Sequence, residues 1–292
     1  MRQRFLAVTG FLTPAMVLFV LFLLYPVVKT FWNSFYRVGP FRANFLGWKN
    51  YLEVLQDRTF WLAARHSGTW AVLSIVLEIG IAFLLSLALF NRIWWHRFFR
   101  TAWFTPVLIP YVVTGIIWLW IYNYDWGPLN TVLRVIGLGG LTKPWLGNPH
   151  LALYCLVVAS TWMWTGFNMV VLLTAMHSLP TEIFEAAEID GANPFQKTVK
   201  IMVPLLRPTF SSLVVLCFVG KMRIFDLVWV TTGGGPLWAT ETVATYIYKR
   251  AFAWNVYDLG YPSALAVIWF IITFTMSLFL GKVIRGKEVE YW

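Results

Sequence analysis

Leu179-Pro180-Thr181-Glu182-Ile183-Phe184-Glu185-Ala186-Ala187-Glu188-Ile189-Asp190-Gly191-Ala192-Asn193-Pro194, running on to Val203-Pro204, is a polar interruption in an otherwise apolar chain. Its punctuation predicts two short helices and a turn. Pro180 suits a first helical turn, where a missing N–H costs nothing. Gly191 can adopt the left-handed conformation that ends a helix. Asn193 is a good N-cap, Pro194 a good first helical residue, and Gln196 stands where a capping box needs it. A helix–turn–helix held outside a bilayer is a shape another protein can grip.

The bilayer follows from what surrounds this segment. Of 292 residues 59% are hydrophobic and 12% charged, against about 25% charged in a soluble domain. The net charge of +10 sits in short clusters beside apolar runs. That distribution fits membrane orientation and argues against nucleic acid. Cys155 and Cys217 both lie inside apolar runs, with no disulfide or metal spacing.

Six runs reach the roughly 20 residues a helix needs to cross a bilayer: Phe5–Val28, Ser67–Phe90, Thr101–Tyr122, Leu151–Met176, Thr209–Thr232 and Tyr261–Gly281. They are continuous, not alternating as in a β-barrel. The first follows Arg2 and Arg4 as a signal peptide would. It exceeds the core of about 7–15 apolar residues, however, and no small-residue cleavage site follows, so an uncleaved span is expected. The chain therefore reads as one all-α, six-span membrane domain over 1–292, with the polar segment at about 178–207.

Orientation rests on the link from Asn91 to Arg100, which holds Arg92, Arg97 and Arg100 and no acid. The positive-inside rule puts it in the cytoplasm. Arg2, Arg4, Lys282, Arg285 and Lys287 then fall on that side, as do Lys197, Lys200 and Arg207, and both termini are cytoplasmic. Lys29, Arg37, Arg42, Lys49, Arg58 and Arg65 on the outer side weaken the bias without reversing it.

Glu185-Ala186-Ala187, Asp190-Gly191, Ile201 and Pro204 resemble the EAA signature of membrane subunits of ATP-binding-cassette importers. Phe45-Leu46-Gly47-Trp48-Lys49-Asn50-Tyr51, Gly127-Pro128-Leu129-Asn130 and the stretch from Phe225-Asp226-Leu227 to Thr231-Thr232-Gly233-Gly234-Gly235-Pro236 are similar to the carbohydrate permeases of the maltose and glycerol-3-phosphate type. The resemblance covers nearly the whole chain. It implies a multi-pass protein of the bacterial cytoplasmic (inner) membrane and a cytoplasmic coupling helix. It also implies a second homologous permease subunit (a heterodimer), two cytosolic ATPases and an extracytoplasmic solute-binding protein, with membrane lipids around the spans. Glu182, Glu185, Ala186, Ala187, Glu188, Asp190, Gly191 and Pro204 would form the joint with an ATPase. The chain itself has no G-x-x-x-x-G-K-[ST] loop, since Gly220-Lys221-Met222 and Gly233-Gly234-Gly235 both fail that pattern. It is not expected to be an enzyme or to bind a cofactor or metal; ATP and magnesium belong on the partner ATPases.

Charges inside spans are costly and are functional candidates by default. Glu78 lies in the second run; Lys221, Arg223 and Asp226 lie in the fifth. As one helix, that run would put Arg223 and Asp226 on a shared face, where they could pair. Lys221, Arg223 and Asp226 are candidates for the solute path; packing is the alternative for Lys221 and Arg223, and the resemblance favours an architectural role for Asp226. Glu78 is expected to bond a neighbouring helix. Trp162, Trp164 and Asn168 sit mid-span, unlike most of the 18 tryptophans, which mark span ends. Sugars stack on such rings and bond amides, and transporter sites lie near the midplane. The expected function is import of a sugar, polyol or sugar phosphate by alternating access. The rival is an ion-gradient-driven secondary transporter using Glu78 and Asp226 as ion sites, which leaves the capped hairpin without a purpose.

Overall fold

The computed structural model describes residues 2–91, 94–254 and 257–285, with side chains from residue 11 to 284. Arg92 and Lys287, and the side chains of Arg2, Arg4 and Arg285, lie outside the described residues. The elements in order are α1 (Phe11–Asn33), strands β1 (Tyr36–Val38) and β2 (Ala43–Phe45), α2 (Lys49–Gln56), α3 (Arg58–Phe90), α4 (His96–Leu108) and α5 (Tyr111–Ile121). Then come α6 (Pro128–Val135), α7 (Ala152–His177), α8 (Thr181–Ile189), α9 (Pro194–Leu205) and α10 (Arg207–Met222). The chain closes with α11 (Asp226–Thr231), α12 (Val243–Tyr248) and α13 (Gly260–Ile284). Among the described residues four helices, α1, α3, α7 and α13, are each long and apolar enough to cross a bilayer, or up to six if each of two bent pairs is one span.

Contacts divide the chain into two compact units, residues 1–61 with 246–272, and residues 62–245 with 273–292. In the first, β1 and β2 pair antiparallel with Tyr36 opposite Phe45. Buried Asn50 ties this hairpin down, donating from Nδ2 to the Ser34 and Tyr36 carbonyls at 2.9 Å. Asp258 Oδ1 accepts from the Val38 and Gly260 amides at 2.9 Å. Gly260 passes so close to the Tyr36 carbonyl that any Cβ would overlap it. Asp57 Oδ2 accepts from the Tyr261 hydroxyl at 2.6 Å and from Tyr246, and its Oδ1 from the Thr59 amide at 2.8 Å. Burial would raise the Asp57 pKa, but these donors, with the Phe60 amide, outweigh it and hold the carboxyl below its ordinary value.

In the second unit α7 is the central strut, with 67% of its apolar window buried. One cluster joins Trp70, Leu156, Val157, Leu227 and Val228; a second joins Ile79, Ala82, Leu89, Met169, Leu172 and Leu213. Gly166 lets α4 cross against α7, because a Cβ there would overlap the Trp103 carbonyl. In lipid no hydrophobic force draws helices together, so close backbone approach at small residues has to supply the contact.

Two expected spans are not straight helices. The run Thr101–Tyr122 breaks into α4 and α5, which meet at 104°. Pro106 and Pro110 withdraw two amide donors, and Ile109, forced away from helical geometry by the following proline, is extended at ψ 129. The run Thr209–Thr232 stops at Met222 and resumes at Asp226, with Arg223 at φ −105, ψ 5. The freed Ile224 carbonyl accepts from the Thr242 hydroxyl at 3.1 Å, a substitute bond of the kind a helix break in lipid requires. Arg223 and Asp226 therefore do not share a helical face and are not ion-paired with each other; both are exposed. The second run also begins earlier than expected, so Arg58 and Arg65 belong to α3 and not to the preceding loop.

A buried ion-pair cavity and a capped hairpin

The hairpin forms as its punctuation dictates. Pro180 caps α8 in an extended conformation, and Gly191 ends it at φ +80. The Ala192 amide donates to the Ala187 carbonyl at 2.9 Å and the Gly191 amide to Glu188 at 3.0 Å. These reach-back bonds are what a left-handed glycine allows. The Gln196 amide donates to Asn193 Oδ1 at 2.8 Å, and the Asn193 amide to Gln196 Oε1 at 2.9 Å, completing a capping box. Lys197 pairs with Glu188 across the turn.

The hairpin is anchored on one side only. Phe184 packs against Met176, Met202 and Leu206, Ala187 is buried, and Pro204 is half-buried in α9. Glu182, Glu185, Ala186, Glu188, Asp190 and Gly191 face out. Two large apolar side chains do too: Ile189 is 88% exposed and Phe195 74%. The alanine pair is thus divided, Ala187 serving the fold and Ala186 the surface.

Deeper in the second unit, a cavity of about 60 Å³ is lined by Glu78, Tyr111, Trp164, Asn168, Cys217 and Lys221, with Phe167, Leu216 and Gly220. That is room for a few water molecules. Four helices line it, α3, α5 (through Tyr111), α7 and α10, and two of its faces follow from simple periodicity. On α7, Ser160, Trp164 and Asn168 recur every four residues on one face, and Cys217 and Lys221 do so on α10. Glu78 comes from α3 where that helix widens into a π turn, Ile75–Ile79, a local insertion common at functional sites.

The polar groups form one connected set. Lys221 Nζ lies 2.6 Å from Glu78 Oε1 and donates to Ser160 Oγ at 2.7 Å. Ser160 Oγ donates to the same carboxylate oxygen at 3.2 Å. Cys217 Sγ donates to the other oxygen, Oε2, at 3.5 Å. The ammonium also sits 5.4 Å from the Trp164 ring centre, within cation–π range. Trp164 Nε1 donates to the Tyr111 hydroxyl at 2.6 Å. Glu78 and Lys221 are 1% and 3% exposed, and isolated charges so buried would be prohibitive.

Of the solute-path candidates, Trp164, Asn168 and Lys221 come together here. Trp162 turns away, packing edge-on against Trp118 at 5.9 Å, and Arg223 and Asp226 do not line the cavity. Sequence reasoning expected Glu78 to bond a neighbouring helix, which it does, read Cys217 only as a small side chain of an apolar run, and passed over Ser160 and Tyr111. The four-residue spacing from Trp164 pointed to Ser160, and that from Lys221 pointed to Cys217; Tyr111 carried no such signal.

The chain is 35% identical over 283 residues to the probable ABC transporter permease protein YurN of Bacillus subtilis, covering 95% of this chain and 96% of that one. It is 30% identical to the trehalose/maltose transport system permease protein MalF of Thermococcus litoralis, over 94% and 92% of the two chains. Its fold matches a chain of a bacterial ABC transporter involved in the import of the acidic polysaccharide alginate, at TM-score 0.84 and 21% identity over 98% of this chain and 97% of that one. It also matches, at TM-score 0.83 and 21% identity over 95% of this chain and 93% of that one, a chain of a bacterial alginate ABC transporter in complex with an alginate pentasaccharide-bound periplasmic protein. The sequence profile of the binding-protein-dependent transport system inner membrane component family matches residues 78–286. The chain belongs to that family, as a multi-pass inner-membrane protein of the sugar ABC transporter permease kind.

Proposed function

We propose that this chain is one permease subunit of an importer that carries a sugar or related polyhydroxylated solute inward by alternating access. Its work is supplied by ATP hydrolysed, with magnesium, on two cytosolic partner subunits. A second, homologous but different permease chain completes the path, and an extracytoplasmic binding protein delivers solute. The whole chain acts as one permease domain with its termini and hairpin in the cytoplasm.

The observation that carries this reading is the capped hairpin α8–α9. It is anchored by Phe184 and Ala187 yet presents Ile189, Phe195 and four exposed acidic residues, Glu182, Glu185, Glu188 and Asp190, outward. Large exposed apolar groups rimmed by charge mark a protein-docking surface. A cleft with basic edges on an ATPase would fit it. From the hairpin the chain runs through α9 into α10, separated by a 65° bend, and α10 ends beside Lys221. Movement of the hairpin is thereby imposed on a helix that lines the cavity, as rigid elements transmit motion between bistable arrangements. Nucleotide shifts the inward–outward balance only by its differential affinity for the two states.

Purification from native membranes in mild detergent tests the assembly. ATPase subunits co-purifying with wild type, and lost with Phe195→Asp, are expected. Solute uptake by this chain alone in ATP-free vesicles would defeat the proposal.

A further inference from the structure

We infer that the cavity is an electroneutral, hydroxyl-reading subsite that admits uncharged polyhydroxylated solutes and rejects anionic ones, with Glu78 as the residue that sets this selectivity. The inference deepens the import reading and rests on it for the sugar class.

Charge balance is the first argument. Lys221 is the cation of the cavity lining, and its ammonium is already engaged three ways: by Glu78 Oε1, by Ser160 Oγ and by the face of Trp164. A phosphate or carboxylate entering here would find no free cation. It would instead meet the second oxygen of Glu78, and like charges brought together in a low-dielectric site are strongly repelled. A site built to hold an anion would leave its lysine uncompensated; this one neutralises it.

Hydrogen-bond capacity is the second. An ionised carboxylate offers about four acceptor positions. Oε1 takes two donors, whereas Oε2 takes one thiol at 3.5 Å, a weak donor. Oε2 thus retains acceptor capacity inside the cavity. A hydroxyl is the neutral group that supplies a strong donor there without bringing charge. Asn168 adds an amide and Trp164 an aromatic face, the pair of features that bond sugar hydroxyls and cover apolar sugar faces. The volume holds one hydroxyl-bearing corner of a solute, and the rest passes out over Leu216 and Gly220, both exposed on α10.

Cys217 gives a direct readout, because it lines the cavity and the chain has only two cysteines. The full chain carrying Cys155→Ala is labelled in membrane vesicles with methyl methanethiosulfonate. Labelling is repeated with an equimolar mixture of maltose, trehalose and raffinose, and separately with glucose 6-phosphate and glucuronate. The neutral mixture is expected to slow Cys217 labelling at least threefold and the anionic mixture to leave it unchanged. Glu78→Gln, which uncovers the Lys221 charge, should lose the neutral protection and gain protection by the anions. Should that variant fail to insert, the charge-balanced pair Glu78→Gln with Lys221→Met decides: protection by either mixture should vanish. Equal protection by both mixtures, protection by neither, no labelling at all, or neutral protection that survives in the Glu78 variants overturns the inference. No ATPase takes part, so failure here leaves the coupling proposal standing, and failure of co-purification leaves this one.

Discussion

Glu78 and Lys221 stabilise each other only as a pair. Removing one partner strands the other charge in the interior, at a cost of about 3–5 kcal/mol, whereas replacing both with uncharged groups of similar size is often neutral. Lys221→Met alone should therefore lower the thermal midpoint of the detergent-solubilised chain far more than Glu78→Gln with Lys221→Met does. Scanning fluorimetry on the three proteins measures this, and a double variant no more stable than Lys221→Met would show that the stranded Glu78 carboxylate carries no such cost. Gly166 is constrained by space alone. Its missing Cβ is where the Trp103 carbonyl sits, so Gly166→Ala forces α4 off α7, and overpacking of this kind costs about 1–3 kcal/mol. Asp57 adds a pH dependence outside the spans. Its tyrosine and amide donors hold its folded pKa below the ordinary carboxyl value of 3.8. The stability it contributes is thus complete above that value and lost as pH falls through the folded pKa. Amide protection in residues 36–60, corrected for the intrinsic exchange rate, should fall as the pH drops below about 4 in wild type, and this acid step should shrink in Asp57→Asn.

Among the elements, the hairpin α8–α9 was the most legible in the sequence because every instruction for it is local. Pro180, Gly191, Asn193 and Gln196 act on backbone within four residues of themselves; the structure places Gly191, Asn193 and Gln196 as expected, while Pro180 stands one residue before the first turn, as the extended N-cap. Asn193→Ala should cost about 1 kcal/mol, the usual worth of an N-cap, and expose the amides of 195–197 to faster exchange while leaving α7 protected. Six apolar runs were legible in the sequence, against four straight candidate spans in the structure, or up to six if each bent pair is one span; their shape was not legible. Apolar length says that a run can cross a bilayer; it does not say where a helix bends. Pro106 and Pro110 do carry that information for α4 and α5, through their missing donors. The break at 223–225 has no proline: it depends on Thr242, eighteen residues away, a contact no window of sequence contains. The cavity was half legible for the same reason. The α7 face from Trp164 to Asn168 and the lysine of α10 follow from helical period. That Glu78 of α3 meets them, 82 residues from Ser160, is a fact of packing.

For the molecule as a whole, the hairpin and the cavity are connected by two successive helices joined at one 65° bend. α9 and α10 run from Pro194 to Met222 with one bend, so on the proposed reading the exposed face of the hairpin and Lys221 would be the two ends of a lever. This predicts that damage at the outer end leaves the inner end intact. Phe195 is exposed, and its loss removes no packing from the fold, so Phe195→Ala should insert, melt and label at Cys217 as wild type does. In the assembled transporter the same substitution should weaken ATPase association at least tenfold, because large apolar anchors dominate binding energy at protein interfaces. Solute uptake should fall in proportion. Titration of purified ATPase onto the chain in nanodiscs, read beside the Cys217 labelling rate, separates the two ends. A drop in ATPase affinity at constant labelling supports the lever. Unchanged affinity would mean that Phe195 faces lipid headgroups or water in the assembly, and the outer end of the lever would have to lie elsewhere on the cytoplasmic surface.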